Sequence, residues 1–334
     1  MKAITELELP FLELSQPEFS ADPYSPFVEA RKHHPWLAKC AFAFVFTDYH
    51  AIRELMVHDD KMVVGFASVV KMMGADGTPW GEFIKNAVQN QTGPLHTRLR
   101  TAMAPAFTPR EANKHRGIMR EEISRLLDEW IPKGSFDFEL FASHFPISVM
   151  CRIIGASPLE VPKLRSSLEI LGLGGSFDVS YLSRFQESFL IVDKFVRELV
   201  AARRANPRTT GEPDLLDRLL KIVEEGGLTD EEVFNLLVFS FTAGYDTSKN
   251  VLTLIMHVLM ERPDDYARCA TDLDYCRKVV EEISRYHGVA SSPRVLLEDI
   301  TFRDIFMPKG TMLFLPWGVS GRDPGAFDNP NVFD

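Results

Sequence analysis

Apolar residues recur every three or four positions from His96 to about Met260, the spacing that lines one face of successive helices. The pattern breaks at Pro105 to Pro109, at Pro132-Lys133-Gly134, at Gly155 to Pro158, at Leu171 to Ser176 and along the polar stretch Asn206 to Pro213. The last predicted helix is the longest. It opens on Thr229-Asp230-Glu231-Glu232, a capping box in which the Thr229 hydroxyl and the Glu232 carboxylate satisfy free backbone N–H groups. It should stop near Arg262-Pro263, where the proline ring clashes with the preceding turn. About 33 residues at ~1.5 Å each predict a rod of about 50 Å, apolar enough to cross the interior.

The two ends of the chain read differently. "AFAFVFTDYHAIRELM" predicts a strand over Ala41 to Phe46, a turn at Thr47-Asp48 and then a helix. Lys61 to Gly93 shows no clear period and carries Gly65, Gly74, Gly77, Pro79 and Gly81, as lids and pocket walls often do. Past Gly288, "SPRVLLEDITFRDIFMPKGTMLFLPWGVS" predicts short strands with a Pro308-Lys309-Gly310 turn between two of them. The expected class is therefore mainly α with small β-sheets (α+β). A single domain over 1–334 is expected, with a mixed α/β part at about 1–93 and 288–334 and a helical part at about 94–287.

Composition narrows the function. A 45% apolar and 25% charged chain can bury a sizeable core. A net charge of −10 speaks against a general nucleic-acid binder. No apolar run approaches the roughly 20 residues that span a bilayer, and Glu6, Glu8 and Glu13 interrupt what would be a signal peptide's apolar stretch. A soluble, cytoplasmic protein without nucleic-acid or membrane partners is the expectation. Cys40, Cys151, Cys269 and Cys276 form no CxxC and are expected to be free and mostly buried. Neither HExxH, a Walker loop nor GxGxxG is present.

The candidate chemistry starts at "FTAGYDTS", residues 241–248, in the middle of the longest helix. A mid-helix glycine costs about 1 kcal/mol, and an unpaired buried carboxylate costs several more. Two readings stay open. One is a kink in which Thr247 bonds back to a carbonyl one turn earlier. The other is a groove, where a flat ligand presses on Gly244 while Asp246 and Thr247 handle protons. The letters EEISR occur twice, at 121–125 and at 281–285. The first copy is expected to be a solvated face, where such a pair contributes only about 0.3–0.5 kcal/mol. The second, with Glu282 and Arg285, follows an apolar helix and leads into the strand region. His96 and Arg100, four apart, present two donors to an anion such as a carboxylate, or are a pair of surface residues. Arg294 reads as a lone charge at a strand edge.

Taken in order, "GPLHTRLRTAMAPAFTPR", "LLVFSFTAGYDTS", "VVEEISRYHG", "PRVLLEDITF", "MPKGTMLFLPWGVSGRDPGAF" and "DNPNVFD" resemble the cytochrome P450 haem-thiolate monooxygenases of soluble bacterial type. The resemblance implies haem b as cofactor, its propionates held by His96 and Arg100 from one side and Arg294 from the other. It implies that Glu282 and Arg285 are a buried ion pair behind the haem. Ala243 and Gly244 would let the long helix approach the porphyrin and leave room for dioxygen. Asp246 and Thr247 would be the acid–alcohol pair that delivers protons during oxygen activation. The family's axial cysteine, whose thiolate favours O–O cleavage, is expected beyond Asp334, so no metal ligand is expected within these residues.

The implied function is hydroxylation of a hydrophobic small molecule, with two electrons passing from NAD(P)H through a ferredoxin or flavodoxin-type redox partner. The alternative is a haem-free homologue that serves as auxiliary or binding partner of another enzyme. A kept proton relay favours the first. Pocket walls are expected around Phe66 to Phe83, Leu173 to Phe189 and Val289 to Ser292. Between Arg98 and Arg125, seven positive residues against three negative leave +4, the expected docking patch for an acidic redox partner.

Overall fold

The computed structural model describes residues 2–14, 16–176 and 178–334. Two compact units are present, Phe66–Thr253 and the pairing of Met1–Gly65 with Leu254–Asp334.

The first unit is helical. Its main elements are Gly93–Met103 (α1), Arg116–Trp130 (α2), Phe138–Ile154 (α3), Val161–Gly172 (α4), Leu182–Ala205 (α5) and Asp230–Met260 (α6), whose last turns run into the second unit. Local signals set their ends. Asp137 caps α3 by accepting from the Leu140 N–H, and Gly155 ends it at a left-handed φ of +102°. The expected capping box opens α6: the Thr229 N–H donates to Glu232 at 2.8 Å and the Glu232 N–H to the Thr229 hydroxyl at 3.3 Å. Leu164 and Leu168 of α4, Phe185 and Val192 of α5, and Leu237, Phe241 and Tyr245 of α6 are fully buried in one core. Each apolar side chain so buried contributes on the order of 1.5–3 kcal/mol.

The aperiodic stretch after Lys61 turns out to be ordered. It forms strand Met62–Val64 and helices Phe66–Met72 and Pro79–Asn86. Gly74 and Gly77, at φ of +69° and +76°, make the turn between the helices. The Thr78 hydroxyl caps the second, accepting from the Gly81 N–H at 3.2 Å. Trp80 then stacks on Phe185 at 4.8 Å and Phe83 on Phe189 at 5.1 Å. Two of the expected pocket walls thus pack against each other as core. Helices of about two turns are too short to show a 3.6-residue period.

The first EEISR copy is not a solvated face. Glu122 is only 3% exposed. It accepts from Arg152 of α3 at 2.9 Å and from Arg125 of its own helix at 3.1 Å. The sequence window shows the partner three residues on, but not the guanidinium that a neighbouring helix brings.

The second unit holds both sheets. Lys2–Ala3 (β1), Leu37–Lys39 (β2), Phe44–Phe46 (β3), Met62–Val64 (β4), Ser292–Leu296 (β5), Ile300–Phe302 (β6), Ile305–Met307 (β7) and Met312–Leu315 (β8) pair in the orders β1-β7-β6 and β2-β3-β8-β5-β4. Trp36, Phe46 and Phe302 form its aromatic core, with ring centroids 5.2 to 5.7 Å apart. Antiparallel pairing sets Arg294 of β5 opposite Val64 on one side and Leu313 on the other. Arg294 therefore stands in the middle of a strand that is paired on both sides, not at the strand's edge. Helix Leu273–Tyr286 (α7) completes the unit, capped by Asp272, which accepts from the Asp274 and Tyr275 N–H groups.

Candidate active site

The polar break in α6 sits where the helix meets α3 and α4. A Cβ on Gly244 would come 2.8 Å from the Met150 sulfur of α3, so the glycine leaves room for that side chain. A Cβ on Gly172, the last residue of α4, would come 2.6 Å from an Asp246 carboxylate oxygen. Asp246 is thereby tucked against the end of α4. Burial pushes its carboxyl above the usual range; the Lys249 ammonium and the Asn250 amide pull it back, and Glu169 adds to the rise. Thr247 is exposed, and its hydroxyl donates to the Ala243 carbonyl at 2.9 Å. The back-bond of the kink reading is present, beside the small residues that the groove reading needs.

Two cavities open at this break. One of about 390 Å³ is lined by Arg100, Met103, Phe107, Phe239, Ala243 and Gly244. The other, about 300 Å³, is lined by Phe107, Phe145, Met150, Ile153, Gly244 and Ser248. Arg100, Ala243 and Gly244 are thus brought together in one cavity. His96 lies one turn before Arg100 on α1 and is half-buried. Among the described residues, neither the His96 ring nor the Arg100 guanidinium has a hydrogen-bond or ion-pair partner. Arg98, between them, is by contrast fully engaged, donating to Glu232 and to the Gly227 carbonyl. No cysteine lines either cavity.

Glu282, Arg285 and Arg294 belong to the other unit. Arg294 is 8% exposed, and Nη1 donates to the Ser292 hydroxyl. Its Nε is buried without a hydrogen-bond partner; the nearest carboxylate, Asp59, is 3.7 Å away. Burial lowers the guanidinium's proton affinity, and Asp59 offsets part of that. A buried N–H left open in this way costs about 1–3 kcal/mol, a cost that an anionic ligand would remove. Glu282 and Arg285 pair bidentately on α7, with Nε to Oε2 at 2.7 Å. The remaining Arg285 donors hold the carbonyls of Gly321 at 3.0 Å, Pro330 at 2.9 Å and Val332 at 2.7 Å. All four cysteines are free. Burial pushes the Cys151 thiol up to about 12, while Cys276 donates to the Cys269 carbonyl at 3.0 Å.

Three contributors escaped the sequence reading: Met150, Gly172 and Lys249. The first two act by shape across helices, which no local pattern encodes. Lys249 left a trace, as a lysine three residues after an intrahelical aspartate.

Comparison with known proteins agrees with this architecture. The family model described as Cytochrome P450 matches residues 36–334. The luteothin monooxygenase of Streptomyces thioluteus is 29% identical over 333 residues, covering 98% of this chain and 80% of that protein. The 6-deoxyerythronolide B hydroxylase of Saccharopolyspora erythraea is 26% identical, covering 96% and 81%. Among solved structures, the myxobacterial cytochrome P450 CYP267B1 in complex with myristic acid superposes with a TM-score of 0.84 at 25% identity, over 96% of this chain and 81% of that one. P450BioI in complex with an acyl carrier protein shares the fold at a TM-score of 0.81 and 24% identity, covering 95% and 82%. Among the described residues no helix is long and apolar enough to cross a membrane. The chain belongs to the cytochrome P450 family of haem monooxygenases.

Proposed function

We propose that this protein hydroxylates a hydrophobic small molecule, with haem b as cofactor and electrons from NAD(P)H delivered by a ferredoxin or flavodoxin-type partner. The observation that carries the reading is the convergence of Arg100, Ala243 and Gly244 on one cavity, next to the Asp246–Thr247 break. The residues fit the cofactor's anionic edge. Haem presents two propionates; the unengaged Arg100 and His96 of the helical unit suit a carboxylate, and so, within its own unit, does the open Nε of Arg294. When bound, haem supplies the oxygen chemistry; the chain's residues bind its carboxylates and move protons. Asp246 holds its proton more tightly than an ordinary aspartate, which suits a proton donor. The exposed Thr247 hydroxyl can orient a water beside it. Glu282 and Arg285 serve as the structural pair of the second unit.

A hydrophobic substrate agrees with the apolar lining of Met103, Phe107 and Phe239. Hydroxylation of a small molecule agrees with relatives named as luteothin monooxygenase and 6-deoxyerythronolide B hydroxylase. For the redox partner, the basic stretch keeps its surplus: Arg98, Lys114 and Arg125 pair with Glu232, Glu111 and Glu122. Arg100, Arg110, Arg116 and Arg120 make no ion pair among the described residues.

Haem titration followed in the Soret region tests the reading. Charge-assisted bonds of this kind contribute about 1.5–3 kcal/mol, so Arg294→Ala and Arg100→Ala should each weaken haem binding at least about tenfold. Unchanged affinity in both variants would contradict the assignment.

A further inference from the structure

Lys249 lies one helical turn beyond Asp246 on α6, with only 6% of its surface exposed. Among the described residues it is the one lysine so buried. Its ammonium is 2.8 Å from Glu139 of α3 and 3.6 Å from Glu169 of α4. Both carboxylates reach water, with 57% and 42% of their side chains exposed. Burial works against the ammonium. The Glu139 hydrogen bond and the charges of Glu139, Glu169 and Asp246 outweigh it and hold the lysine above its ordinary range. The group stays charged.

Asp246 sits in a tight corner. On its own helix it faces Lys249 and Asn250, with Tyr245 adjacent; from α4 come Glu169 and the end of the helix at Gly172, while the Arg165 charge acts on Tyr245; α3 contributes Glu139, through Lys249. An aspartate that passes protons must spend part of each cycle as a carboxylate. Burial and Glu169 disfavour that form. Three residues apart, Asp246 and Lys249 share one helix face, and the Lys249 charge opposes both, drawing the Asp246 carboxyl back down. Arg165 is itself engaged by Glu169 at 3.2 Å.

We propose that Lys249 is a positioning residue for Asp246. Its buried ammonium, pinned between Glu139 and Glu169, is the counter-charge that lets the Asp246 carboxylate form and be reprotonated without leaving its corner. This rests on the proton-donor reading of Asp246 given above. A lysine that merely clamped α6 to α3 and α4 would also make both ion pairs, but its removal would leave the proton affinity of Asp246 where it is.

The test follows the Asp246 carboxyl stretch by infrared difference spectroscopy against Asp246→Asn, as a function of pH. An opposite charge at such range shifts a carboxyl by about one unit or more. Lys249→Met should therefore raise the midpoint, a tenfold tighter hold on the proton, and Lys249→Arg should restore most of it. Glu139→Gln should lower the midpoint, because it frees the lysine's charge to act on Asp246. Glu139 is exposed enough that this variant decides the matter even if Lys249→Met fails to fold. A midpoint that stays within titration error in Lys249→Met, or in Glu139→Gln where Lys249→Met does not fold, would reduce Lys249 to a clamp. The readout is independent of turnover. Shifted midpoints with fully coupled hydroxylation in Asp246→Asn would keep the electrostatic coupling and sink the proton-donor reading instead.

Discussion

Arg285 and Glu282 form a bidentate pair in which every remaining polar contact is used. The arginine also holds the carbonyls of Gly321, Pro330 and Val332, and the Asp334 N–H donates to Glu282 at 2.9 Å. The two side chains are 17% and 13% exposed, so water replaces little of what a substitution removes. Removing one partner of such a pair strands the other, at about 3–5 kcal/mol. Glu282→Gln and Arg285→Ala should each destabilise the protein by about 3 kcal/mol in urea unfolding. The double variant should cost clearly less than the sum. Additive losses would show that the pair does not act as a unit.

Arg98 and Glu232 make a different kind of pair. Hydrogen bonds from Arg98 hold the Glu232 carboxyl down to about 2. A carboxylate depressed in the folded state contributes stability that is present above its unfolded value of about 4.3. That stability is lost as the pH falls towards 2. The pair is partly exposed, so the contribution is about 1 kcal/mol or less. The urea midpoint of Glu232→Gln should lie below wild type at pH 7 and converge with it near pH 2. A gap that persists at pH 2 would refute the linkage.

Asp246 has the opposite sign. Its folded carboxyl is raised, chiefly by burial. The stability linked to its protonated form is full below the unfolded value of about 3.9 and is lost as pH rises through the folded one. Asp246→Asn removes that loss. The variant should therefore gain on wild type as the pH is taken from about 3 to 7, measured by thermal or urea unfolding. A constant difference across that range would contradict the buried, raised carboxyl.

Much of this was legible in the chain, and the remainder was hidden for definable reasons. The capping box and the proline at its far end fixed α6 to within about two residues of Asp230–Met260, because both signals are local. The two EEISR copies show the limit of local reading. One turn of helix determines that Glu122 and Arg125 can meet, but Arg152 arrives from α3 and changes an expected surface pair into a buried one. Arg294 reads from sequence as a charge at the edge of a strand because nothing near it reveals that β4 and β8 flank β5 on both sides. The helices after Phe66 were hidden by their shortness. For the site, Arg100, Ala243 and Gly244 were named from sequence and share a cavity. Gly172 and Met150 act through the space they leave or fill, which only packing reveals.

Proton delivery by Asp246 and Thr247 should show in how electrons are spent during turnover. The most direct measurement is the fate of reducing equivalents in Thr247→Ala, in the full-length, haem-loaded protein with a redox partner and a turned-over substrate. Haem and substrate binding should be nearly unchanged, with product per electron falling severalfold and hydrogen peroxide rising to match, because the hydroxyl that orients the protonating water is gone. Full, coupled product formation without excess peroxide would contradict it.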